Sequence, residues 1–87
     1  MAMSPTELED EVFDLEGIRI IVRAPRGTQL GDYSYARKAA GVATLAHWLG
    51  QRVLPLTAGH EVVVINGAGE RPHGKTSLSK LRDSYAT

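Results

Sequence analysis

The sequence predicts an α+β domain in the order ββαβα: a three-stranded, mainly antiparallel sheet, a core helix packed on one face and a short C-terminal helix. Three observations carry this. Ile18, Ile20, Val22 and Ala24 alternate with Arg19, Ile21 and Arg23, the period of a strand. A β-branched run occupies Glu61 to Ile65. Between them Leu45, Trp48, Leu49, Arg52 and Val53 recur at helical spacing and form a core-facing stripe. The chain has 87 residues, enough for one domain. Residues 12–87 are assigned to it, and residues 1–11 to an acidic segment that is either a short helix or frayed.

Ser4-Pro5-Thr6-Glu7 has the form of a capping box, with Pro at the first helical position, and predicts a short helix over 5–10. Residues 12–24 read as strand. Phe13 and Leu15 alternate with acids, and the parity flips across Glu16-Gly17. Gly17 is therefore expected to be a bulge in one long strand or part of a hairpin turn. Residues 25–32 form a Pro- and Gly-rich loop. Tyr33-Ser34-Tyr35-Ala36-Arg37-Lys38 alternates aromatic and small residues, as a returning strand would. Thr44 is the expected cap of the main helix, which Pro55 ends near Leu54. Thr57-Ala58-Gly59 is a turn. Both faces of the strand at 61–65 are apolar, which places it centrally or leaves a face for a partner to cover. Leu78, Leu81 and Tyr85 then share one side of a last helix.

Cysteine is absent, so neither a disulfide framework nor a thiolate zinc site is expected. His47, His60 and His73 do not fall at ligand spacings, and no metal or other cofactor is expected. No apolar run approaches the ~20 residues of a membrane helix. The opening residues are acidic rather than signal-like. The expected address is the cytoplasm. Net charge is zero but unevenly spread: six acids and no basic residue fall in residues 1–16, while residues 17–87 carry ten basic side chains against four acids. Such asymmetry points to an external partner.

Gly69-Glu70-Arg71-Pro72-His73-Gly74-Lys75-Thr76 matches the phosphate-loop pattern, with a strand before it and a helix after. The chemistry of the loop argues for coincidence. Pro72 lacks an N–H, Glu70 would repel phosphate, and the eleven residues after Thr76 offer no strand to supply a Mg²⁺-ordering acid. Turn residues followed by Thr76 as a helix cap explain the same letters.

No nucleophile elbow or paired catalytic carboxylates stand out, and enzymatic activity is not expected. Arg71, His73, Lys75, Lys80 and Arg82 cluster in one loop and helix. Arg19, Arg23, Arg37 and Lys38 lie on expected strands beside Tyr33 and Tyr35. These cations are candidate contacts for a polyanion or another partner. Glu7, Glu9, Asp10 and Glu11 are candidate acidic contacts, and removing residues 1–11 is expected to raise affinity for polyanions. The favoured expectation is a non-enzymatic domain that docks to a protein partner or self-associates as a homodimer, with inhibition of a nucleic-acid-handling complex as one form of that docking. The alternative is a nucleic-acid-binding module using the basic sheet face and the 71–75 loop. Nucleotide binding at the phosphate-loop pattern comes third.

Overall fold

A computed structural model describes residues 3–25 and 27–85. Arg26, in the expected loop, and the first two residues of the acidic segment lie outside the described residues. Among the described residues three α-helices flank a two-stranded antiparallel sheet, in the order α1 (Pro5–Glu16), β1 (Arg19–Arg23), α2 (Leu45–Trp48), β2 (Glu61–Ile65) and α3 (Leu78–Ser84). The α+β class stands. The expected third strand and the ββαβα order do not.

α1 is longer than the sequence predicts. Its capping box forms as expected: the Ser4 hydroxyl accepts from the Glu7 amide at 3.2 Å, and the Glu7 carboxylate accepts from the Ser4 amide at 2.9 Å. The helix does not stop near residue 10 but runs to Glu16, so Phe13 and Leu15 are helical rather than extended. Leu8, Val12 and Glu16 recur every fourth residue and are all buried, and this stripe overrides the local alternation. Gly17 is neither a bulge nor a hairpin turn. At φ 71° it is the left-handed C-cap, and its amide donates to the Phe13 carbonyl at 2.9 Å.

β1 and β2 pair with Arg19 opposite Ile65 and Arg23 opposite Glu61. Tyr85 closes one end of this ladder. The Arg19 amide donates to its hydroxyl at 3.1 Å, and the hydroxyl donates to the Ile65 carbonyl. The far edge of β1 meets α1, where the Glu9 carboxylate accepts from the Val22 amide at 2.8 Å. β2 is thus one of two strands, not a central one.

Residues 33–38 form no strand. Tyr33 is buried, Tyr35 meets it edge-on with ring centroids 5.0 Å apart, and the Arg52 guanidinium lies 4.2 Å from the Tyr35 ring centre. The aromatic alternation pins an irregular segment to the core instead of building a sheet.

Thr44 caps α2 as expected, accepting from the His47 amide at 3.2 Å. The helix widens into a π turn over Leu49–Val53 and tightens into a 3₁₀ turn over Leu54–Leu56, where Pro55 sits. The beginnings of α2 and α3 cross and cap each other. The Leu45 amide donates to the Thr76 carbonyl at 2.8 Å, and the Leu78 amide donates to the Ala43 carbonyl at 2.9 Å.

Four of these segments converge on Glu16, which is 1% exposed. Its carboxylate accepts from Tyr33, from the Ala39 amide at 2.8 Å, from Arg52 at 2.8 Å and from Arg82 at 2.9 Å. Arg82 Nε also donates to the Glu16 carbonyl at 2.7 Å. The Trp48 indole donates to the Tyr33 hydroxyl at 3.1 Å and so joins the same network. Burial alone would push the Glu16 carboxyl up, but hydrogen bonds from Tyr33, Ala39 and Arg52 hold it below its ordinary range. Burial and its bond to Glu16 push the Tyr33 hydroxyl far up. The network ties α1, the 33–39 segment, the α2 region and α3 into one core.

Candidate interaction edge

The phosphate-loop stretch has little left with which to hold phosphate. Asn66 Oδ1 accepts from the amides of Ala68 and Glu70, at 2.9 and 3.0 Å, while the Gly69 amide donates to the Asn66 carbonyl at 3.0 Å. The Lys75 amide donates to His73 Nδ1 at 3.1 Å and the Thr76 amide to the His73 carbonyl at 3.0 Å. The helix begins one residue later than expected, with Ser77 rather than Thr76 as its cap. Its first amides are already used: Leu78 and Ser79 donate to Ala43 and Gly41, and Lys80 to the Ser77 hydroxyl. A phosphate cradle needs such donors free and convergent. Lys75→Ala should therefore leave fold and stability unchanged, and calorimetry with Mg²⁺ should show no ATP or GTP binding to either protein. Ser77→Ala should cost about 1 kcal/mol as a lost cap in denaturant unfolding. Micromolar nucleotide affinity abolished by Lys75→Ala would contradict this assignment.

Arg19 and Arg23 share the exposed face of β1, but the other candidate cations lie elsewhere. Arg19 lies over the Phe13 ring, 4.6 Å from its centre. Arg37 and Lys38 sit on the irregular segment, in neither strand, and the Arg37 carbonyl accepts from Arg52 at 2.8 Å. Arg82 points inward to Glu16. His73, Lys75 and Lys80 are exposed. Arg23 and Arg71 come together, reaching the two oxygens of the Glu61 carboxylate at 3.4 and 3.8 Å. Among the acids, Glu7 serves the capping box and Glu9 the edge of β1, while Asp10 and Glu11 are exposed. Deleting residues 1–11 would remove the buried Leu8 as well as charge, so it no longer isolates an electrostatic effect.

The open edge of β2 is the feature that lies outside this framework. The Val22 amide points away from β2, toward Glu9, and Val22 stands opposite Val62. In an antiparallel ladder the two members of such a pair direct their main-chain groups outward. Val62, and by the same alternation Val64, therefore turn N–H and C=O away from β1. Among the described residues no hydrogen bond reaches these groups. They border a groove of about 230 Å³ whose apolar wall is Leu45, Ala46 and Leu49. Arg71, Pro72 and Gly74 line it too, without pairing to β2. Pro72 has no N–H to offer that edge.

No family model, curated protein or solved structure matches this chain. Among the described residues no group of three or more His, Asp or Glu side chains is placed to hold a metal ion, and no helix is long and apolar enough to cross a membrane.

Sequence reasoning anticipated the apolar character of β2 but not that it borders a groove. In the sequence Glu16 is one of six N-terminal acids and sits at the parity flip before Gly17, with no local mark of burial. A signal for its partner was present: Arg52 falls within the apolar stripe of the main helix, where a charge calls for a buried counter-ion.

Proposed function

We propose that this chain is a non-catalytic interaction domain that docks to a protein partner through the edge of β2 and the adjoining groove. The carrying observation is the unpaired main chain at Val62 and Val64 beside the apolar wall of α2. An open strand edge is a template for pairing with another chain. A catalytic role finds less support. The strongly shifted groups, Glu16 and Tyr33, are tied to arginines and an indole in the core, and their shifts are accounted for by the fold. Nucleic-acid binding is also less favoured, because Tyr33 is buried and Arg82 is engaged with Glu16, which removes a stacking ring and a cation from that surface. An inhibitory role, in which the exposed acids of α1 face a basic partner, is compatible with the same docking. The cytoplasm is the proposed site of action.

Benzoylphenylalanine placed at exposed Ala46, in the producing cell, tests this function. It should crosslink one protein that the same group at exposed Ala36 does not, and the purified pair should bind in calorimetry. Equal capture from both positions, or none from position 46, would contradict it.

A further inference from the structure

Resting on that docking edge, we infer that the occupant is an extended, acidic peptide segment of another protein. It adds to β2 as a strand, seats an apolar side chain against Leu45 and Leu49, and sets a carboxylate against Arg71. Each part answers an observation. The main-chain groups of Val62 and Val64 alternate as donor and acceptor along one edge, and an extended backbone matches them. The groove, at about 230 Å³, is smaller than the ~300–1,000 Å³ usual for small-molecule pockets and suits one or two side chains.

Charge selects the kind of segment. Arg23 and Arg71 share the single carboxylate of Glu61, and all three side chains are more than half exposed. Among these three side chains the cations outnumber the carboxylate, and Arg71, 3.8 Å from Glu61, makes no hydrogen bond among the described residues. A second carboxylate meeting Arg71 completes the pairing with a charge-assisted hydrogen bond. A second copy of this chain fits less well. It would bring the same cationic excess against itself, and five paired residues span only about 17 Å. A stable interface needs ~800 Å² on each partner.

The probe is a fluorescein-labelled hexapeptide of alternating Asp and Val, compared with its Lys-Val counterpart and with an Asp-Val peptide N-methylated at alternate amides. Anisotropy should show saturable binding of the Asp-Val peptide alone. The ¹H–¹⁵N spectrum should shift chiefly at Val62, Val64 and Leu45 to Leu49. Arg71→Glu, at a surface position, should lower affinity for the Asp-Val peptide about tenfold, as loss of a charge-assisted contact would. Equal binding of the Lys-Val or N-methylated peptide overturns the carboxylate or the strand pairing respectively. So does binding that maps elsewhere, absence of binding at millimolar peptide, or a sedimentation dimer with the β2 edge protected. If the crosslink from position 46 persists while the peptides fail, this inference falls and the docking edge stands.

Discussion

Trp48→Ala should leave the chain largely unfolded at 25 °C. Trp48 is 1% exposed, at the centre of the α2 stripe, and its indole N–H donates to Tyr33, the hydroxyl that in turn serves Glu16. Cutting a buried aromatic to Ala costs about 3–5 kcal/mol from lost burial and the cavity left behind. Whole-domain stabilities are only about 5–15 kcal/mol, and small domains lie toward the lower end. The loss also reaches the polar network, because the Tyr33 hydroxyl gives up a donor. Far-ultraviolet circular dichroism and a urea titration report the outcome. A cooperative transition near the wild-type midpoint would show that Trp48 does not hold the core together.

Glu16→Gln should be nearly as costly for a different reason. The amide fills the same volume, but Arg52 and Arg82 lose their shared carboxylate while remaining largely buried, with side-chain exposures of 23% and 16%. Removing one member of a buried ion pair typically costs about 3–5 kcal/mol, because the remaining charge is uncompensated. The wild type carries the matching pH dependence. The folded-state pKa of Glu16 lies below its ordinary 4.5, so its contribution is fully present above that value and is lost as pH falls through the folded pKa. Below pH 4.5 wild-type stability should fall more steeply than that of Glu16→Gln, and the two unfolding free energies should converge. Parallel curves would show that the carboxylate is not the titrating support.

Much of the fold is legible because its signals are local. The capping box at Ser4, the Thr44 cap and the spacings of Leu45-Trp48-Leu49 and Leu78-Leu81-Tyr85 each fall within a few residues. The errors arise where a short stretch satisfies two periods. Phe13-Asp14-Leu15-Glu16 alternates like a strand, yet Leu8, Val12 and Glu16 place it on a helix, and only packing decides between them. Tyr33-Ser34-Tyr35 fails in the same way, since its rings serve a core assembled from distant segments. The Glu16 network joins residues 36 and 66 positions apart, and charge counting cannot pair them. The candidate edge was half visible. Apolar residues on both faces of β2 pointed to a central strand or a face for a partner to cover, and in the two-stranded sheet one edge of the strand instead has no paired strand among the described residues.

Amide hydrogen exchange along the two strands tests the open edge most directly. The Ile21 and Val63 amides face each other inside the ladder, and the Val22 amide is held by Glu9, so all three should exchange slowly. Val62 and Val64 should exchange orders of magnitude faster in the isolated chain, as main-chain donors without partners. Protection of Val62 and Val64 equal to that of Val63, in a chain that sediments as a monomer, would mean that the edge is already closed and that docking must be sought elsewhere.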